Sequence, residues 1–401
     1  MRISRRTLLN GLAAGSGLAA MQGWARLAFA GAPGDARLIV MILRGGLDGL
    51  AAVPAIGDPA YASARGALAI GEGAHRLDDT FALNPALKGF AEFWRKGELA
   101  VIHAIASPYR ERSHFDAQNV LENGTARANG AEGWLNRALG TIAGKSARDA
   151  LAIAQSVPLI LQGEHQVSSW MPGVLPETDP DYLNRVMALY ENDPALRSAL
   201  DDALQIRAMA EDAAGAPLKG SGGMQAARGP YNLVPLAKAA GALIGKEGGP
   251  RIAVLEANGW DTHAGQGAGE GQLARRLGNL DEALTAFAGA MGPAWAKTAM
   301  LVVTEFGRTV AVNGTNGTDH GTGGAAFAMG GAIKGGQVVA DWPSLSRGAL
   351  HEGRDLKATA DLRSLFKGAL MATLGLDADV LSRTIFPDSA DVKPLTSIFR
   401  V

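Results

Sequence analysis

The feature that most constrains this chain is a repeated transition, in which a short continuous apolar run stops abruptly in a loop carrying acids or histidines. Met300 to Val303 shows it best, an unbroken β-branched stretch that ends in Thr304-Glu305 and then Gly307-Arg308. Runs without polar alternation are strands buried on both faces, as in the parallel sheets of α/β proteins. Arg37–Leu43, Leu99–Ile105 and Pro250–Glu256 share the pattern. Helical periodicity lies between them, over Asn84–Lys96, Leu273–Phe287 and Leu362–Leu376, so the expected class is α/β with a mostly parallel central sheet. Ligands of such sheets bind just outside the carboxyl ends of the strands, and the residues that follow each run become the candidates.

Those residues are chemically alike. Arg44-Gly-Gly-Leu-Asp-Gly49 follows the first run and leaves Asp48 past the strand end, where the plain alternative is an aspartate that caps a turn. The second run leads to Arg110, Arg112, Ser113, His114 and Asp116 at the start of a helical pattern that stops at Asn123-Gly124. Ser113 suits an N-cap, and the same position suits a hydroxyl that holds or attacks an anion in the positive field of a helix N-terminus. His103, inside the second run, reads as a core histidine. Asp261 and His263 sit two apart in a Gly-containing loop and can turn to one centre. Glu305 and the pair Asp319-His320 complete the set. The chain has no cysteine, so a metal would be held by carboxylate and imidazole, which suits Zn or Mn best among divalent ions. The expected ligands are Asp48, Asp261, His263, Glu305, Asp319 and His320, enough for one or two ions. Ser113, His114 and Arg112 are the expected catalytic group, with Arg44 or Arg308 as further anion holders.

The rest of the chain sets the context. Ser4-Arg5-Arg6-Thr7-Leu8-Leu9, a mildly apolar Gly/Ala stretch and Ala28-Phe29-Ala30 predict a twin-arginine signal peptide over 1–30, cleaved before Gly31. Its removal takes away four arginines and no acid, moving the formal charge from −1 to −5. No basic block remains, which argues against nucleic acid or an anionic membrane as partner. Residues 36–401 are expected to form one α/β domain. Val157–Leu161 is a further strand candidate, and Asp179–Met209 a helix. The irregular stretch 164–248 would be a cap or a peripheral insertion.

Several motifs in one order make the chain similar to the DUF1501 family of exported bacterial proteins. They are Leu43-Arg-Gly-Gly-Leu-Asp-Gly49, Arg112-Ser-His-Phe-Asp-Ala-Gln118, Gly133-Trp-Leu-Asn-Arg137, Trp260-Asp-Thr-His263, Glu305-Phe-Gly-Arg-Thr309 and Asp319-His-Gly321. That family in turn resembles the alkaline phosphatase and sulfatase superfamily, which implies a three-layer α/β/α sandwich with two metals at the strand ends. Asp48, Ser113 and His320 match its first aspartate, its hydroxyl nucleophile and its last histidine. Asp261 and His263 are two apart where that superfamily spaces them by four, and Phe306 stands where it has a histidine.

The expected function is that of an exported, periplasmic or secreted metal-dependent hydrolase of small phosphate or sulfate esters. The alternative is a non-catalytic, metal-stabilised envelope protein that assists secretion or assembly of other exported material. A metal-free Ser-His-Asp esterase ranks last, because no Gly-x-Ser-x-Gly elbow surrounds Ser113.

Overall fold

The computed structural model describes residues 35–142, 149–171, 180–190, several positions from 193 to 208, and 233–400. The expected signal peptide and much of 164–248 lie outside them.

The apolar runs become strands β1 (Arg37–Arg44), β2 (Leu99–Ala106), β5 (Ile252–Asn258) and β6 (Thr298–Thr304). Shorter strands β3 (Ala150–Ile153), β4 (Ser168–Ser169), β7 (Gly324–Met329), β8 (Gln337–Val339) and β9 (Ala360–Asp361) join them. Among the described residues the main sheet has nine strands, in the order β8-β2-β7-β6-β1-β5-β3-β4, with β9 also on β2. Every pairing is parallel except those of β7, which runs antiparallel to both β2 and β6. The carboxyl ends of β1, β2, β5 and β6 therefore share one edge of the sheet.

β1 shows why its sequence lacks alternation. It is flanked on both sides, Val40 pairing with Val254 and with Leu301. Ile39, Met41 and Leu43 enter one hydrophobic core, and Leu38, Val40 and Ile42 the other. Helices α2 (Lys88–Arg95), α5 (Val234–Gly245) and α6 (Gln272–Met291) cover the first face through Phe90, Leu243 and Leu277. Helices α3 (His114–Asn123), α4 (Trp134–Gly140) and α7 (Leu362–Leu374) cover the second through Leu121, Trp134 and Phe366. Helices on both faces of a mostly parallel sheet make a mixed α/β architecture.

Three local expectations change. Val157–Leu161 is not a strand: Leu159–Leu161 is a 3₁₀ turn, because Pro158 lacks the N–H a ladder needs, and the strand lies earlier, at β3. β7 has no counterpart in the sequence reading, since Gly324-Ala-Ala-Phe-Ala-Met329 is short and alanine-rich. The helix expected over Asp179–Met209 is described over Pro180–Leu189, and part of the remainder falls outside the described residues. No described helix is long and apolar enough to cross a membrane.

His103 is a core residue with both ring nitrogens engaged. Its Nδ1 accepts from the Ala104 amide at 2.8 Å, and its Nε2 lies 3.0 Å from the Val53 carbonyl. The ring packs against Phe81 and Trp342. Burial lowers its pKa to about 4. An unfolded imidazole takes a proton near pH ~6.5, before the folded one does. The stability His103 contributes is complete above that pH and is lost as pH falls toward 4. The urea midpoint should drop over that window, with a smaller slope in His103→Asn; identical slopes would contradict the assignment.

Candidate metal centre

Four loops meet at the carboxyl edge, and glycine lets two of them touch. Gly45, at φ +120°, brings the β1 loop so close that a Cβ there would lie 2.6 Å from the Asp261 amide nitrogen. Gly46, at φ +70°, leaves room for the Phe306 ring, 2.7 Å from where its Cβ would stand. Both conformations are left-handed ones that glycine adopts freely.

The loops bring three imidazoles and one carboxylate together. His320 Nε2 lies 3.0 Å from His114 Nε2 and 3.0 Å from His263 Nε2. Asp261 Oδ1 is 3.0 Å from His263 Nε2 and 3.3 Å from His320 Nε2, and its Oδ2 is 3.4 Å from His114 Nε2. His114, Asp261 and His320 each offer one donor atom, all within 4.8 Å of one another. His263 extends the group on the more exposed side.

The opposite ring nitrogens have oxygen partners of their own. His320 Nδ1 is 2.9 Å from the Arg112 carbonyl, which only accepts, so Nδ1 bears the hydrogen. Arg112 itself is left-handed, at φ 61°, a strained backbone that aims this carbonyl. His114 Nδ1 donates to Glu305 Oε1 at 2.9 Å. His263 Nδ1 faces Asp319 Oδ1 at 3.3 Å. In neutral rings, the His114 and His320 Nε2 atoms are then lone pairs turned toward each other and toward a carboxylate, while His263 faces an acid at each nitrogen, Asp319 at Nδ1 and Asp261 at Nε2. Such an array repels itself unless a cation or a proton sits among them. The oxygen acceptors on the far nitrogens are the arrangement that orients histidine ligands of metals. The donor set of His114, Asp261 and His320, with His263 beside it, is of the kind that holds a divalent cation.

The surroundings tune these groups. Burial alone would raise the Asp261 pKa, but the Arg308 guanidinium hydrogen-bonded to it brings the net shift below the usual carboxylate range. Burial likewise works against the Glu305 carboxylate and is outweighed by hydrogen bonds from His114, Gln118 and the Gly45 amide, so Glu305 stays ionised. The His114 pKa is raised, chiefly by its bond to Glu305, while that of His320 is lowered by burial.

The other expected residues take different places. Glu305 is fully buried, and its Oε1 accepts from the Gly45 amide at 2.7 Å and Gln118 Nε2 at 3.1 Å besides His114, which makes it the partner of a donor. Asp319 stands in the same relation to His263. Asp48 is buried, and its Oδ1 caps the short helix α1 (Gly49–Ala52) through the Leu50 and Ala51 amides. Its Oδ2 meets Arg65 at 2.6 Å and Gln266 at 2.7 Å. The structure thus gives Asp48 the capping role instead of bringing it to the histidines. Ser113 occupies the N-cap position of α3 without capping it, and lies beside the Tyr109 phenol. Arg112 pairs with Glu352 and Asp355, Arg44 with Glu122 and Glu256, and Arg308 with Asp261. Phe306 packs its ring against His114 and His320, with centroids 4.8 and 5.1 Å away, and floors the site with hydrocarbon where a further ligand was expected. Arg65 and Gln266 carried no sequence signal. Gln118 did, being one helical turn from His114.

Glu305→Gln should keep the His114 contact but lose its charge. Zinc affinity is expected to fall roughly 10–100-fold with the fold intact, as read by competition titration; an unchanged affinity would remove Glu305 from the centre.

The fold and site together define a mixed α/β protein with a His/Asp cluster, a candidate metal site, at its strand ends. The family model described as "Protein of unknown function (DUF1501)" matches residues 101–385, and the chain belongs to that family. No curated protein matches the chain.

Proposed function

We propose that the protein is a metal-dependent hydrolase of phosphate or sulfate esters, built on an alkaline phosphatase-like fold. In this proposal it is exported by the twin-arginine machinery to the periplasm or beyond. One observation carries the reading: three imidazole Nε2 atoms converge on Asp261, and each ring has an oxygen behind its other nitrogen. The centre is partly open to solvent, the His263 side chain being 45% exposed, so a small ester can reach it. A divalent ion there would supply Lewis-acid polarisation of an ester oxygen and would acidify water. His114, His263, His320 and Asp261 hold it; Glu305 and Asp319 fix the rings; Arg308 keeps Asp261 ionised. Ser113, at the N-terminus of α3 and next to His114, is the nucleophile or the anchor of the ester anion.

Two observations favour the alternative of a metal-stabilised envelope protein with a protein partner. Four protein donors are enough to close a tetrahedral structural zinc site. The three arginines expected to hold the anion are all engaged by carboxylates.

Elemental analysis of protein purified from the periplasm, followed by assays with p-nitrophenyl phosphate and p-nitrophenyl sulfate, separates the two. Hydrolysis that needs Zn or Mn and is lost in Ser113→Ala supports the enzyme. A stoichiometric ion without turnover of either ester supports the structural reading.

A further inference from the structure

A concave surface of about 520 Å³ adjoins the metal centre and shares its loops. Asp319, whose carboxylate faces His263, lines it, and so does Arg354, which donates to the His320 carbonyl at 2.7 Å. The cleft therefore begins one residue away from two of the four donors. Its lining also includes Arg347, on the short turn Arg347–Ala349, and the buried apolar side chains of Val310 and Leu345.

The two arginines differ from the others near the site. Arg44, Arg65, Arg112 and Arg308 each lie 2.8 Å or less from a carboxylate oxygen. Arg347 is exposed and makes no side-chain hydrogen bond or ion pair among the described residues. Arg354 reaches its nearest acid, Asp355, only at 3.7 Å, and its side chain is 39% exposed. Asp319 is the one acid of the lining, and its Oδ1 is already shared by His263 and Asn313. Arg347, without a carboxylate partner among the described residues, and Arg354, whose ion pair with Asp355 is long and which also feels Asp319 and Glu352, stand beside apolar side chains and can take an anion from outside.

We infer that this cleft is a second anion subsite, resting on the hydrolase reading: the ester group sits at the metal centre, and the remainder of the substrate is a short apolar body bearing its own anionic group, which Arg347 and Arg354 bind. The substrate class is then a phosphate or sulfate ester of an organic acid, or a molecule with two such ester anions. Esters without a second anionic group would still reach the metal centre but bind less tightly, because they leave both guanidinium groups unused.

The test uses zinc-loaded full-length protein and two non-hydrolysable probes, phenylphosphonate and 4-phosphonobenzoate, which differ only in the added carboxylate. Calorimetry should show the second binding about tenfold more tightly, the order expected for a charge-assisted hydrogen bond. In Arg347→Gln, a change at an exposed side chain, the ratio of the two affinities should fall toward one. Zinc-loaded protein that binds both probes equally overturns the second subsite and leaves the hydrolase reading standing. Protein that holds zinc and binds neither probe overturns both.

Discussion

His320→Ala should empty the metal centre. Zinc or manganese content is expected to fall from about one ion per chain to background, and the affinity loss to exceed the roughly 10–100-fold that accompanies loss of an outer partner. The reason is position. His320 Nε2 is the atom that lies 3.0 Å from both other imidazoles and 3.3 Å from Asp261, so its removal leaves His114 and His263 linked only through Asp261. The half-buried ring packs on His114, His263 and Phe306, and the variant should remain folded. Elemental analysis together with far-ultraviolet circular dichroism reads both quantities. A folded variant that still binds one ion would mean the centre lies elsewhere.

Asp48→Asn should do the opposite, unfolding the protein more readily while leaving the ion in place. Asp48 and Arg65 form an ion pair at 2.6 Å, with side chains 2% and 0% exposed. Replacing the aspartate leaves a buried guanidinium without its counter-charge, a change that typically costs about 3–5 kcal/mol. Backbone carbonyls of Thr309 and Val310 also accept from Arg65 but carry no compensating charge. Equilibrium urea unfolding should register the loss, and metal analysis of the folded fraction should still return about one ion per chain. Lost metal with unchanged stability would instead return Asp48 to the ligand set. The pair matters beyond stability, because Asp48 is joined through Gln266 and Thr318 to Arg308, and so to Asp261. Loosening it should also weaken zinc binding slightly.

How far sequence alone reaches can be judged on these same residues. The strands before Asp48, Ser113, Asp261 and Glu305 were legible because strands buried on both faces cannot alternate, and the topology then fixes which edge their loops occupy. That placed all the candidates within one neighbourhood. The division of labour inside it was not legible. The sequence reading makes Glu305 a ligand and His114 a catalyst, whereas in the structure Glu305 stands behind His114, and it is His114 Nε2 that faces His320 and Asp261. Which of two adjacent groups reaches the centre depends on backbone details such as the left-handed Arg112 and the approach of Gly45 to the Asp261 loop. Residue spacing does not encode these. The role of Asp48 was balanced between cap and ligand because its partner, Arg65, lies on a helix with no periodic or motif signal. Phe306 was recognised as an odd residue for its position, and the packing of its ring under two imidazoles explains how a hydrocarbon is accommodated there.

The donors also lie far apart along the chain. His114 and His320 are 206 positions apart, and His263 and His320 are 57 apart. A chain without cysteine has no disulfide to tether such distant segments, and an ion at this centre would serve as one that a chelator can untie. Closing a loop this long restricts the unfolded chain substantially, so the ion acts on the resilience of the whole sheet edge as well as on its chemistry. Because the tether can form only after three strand ends have met, its presence marks a chain whose sheet is already assembled.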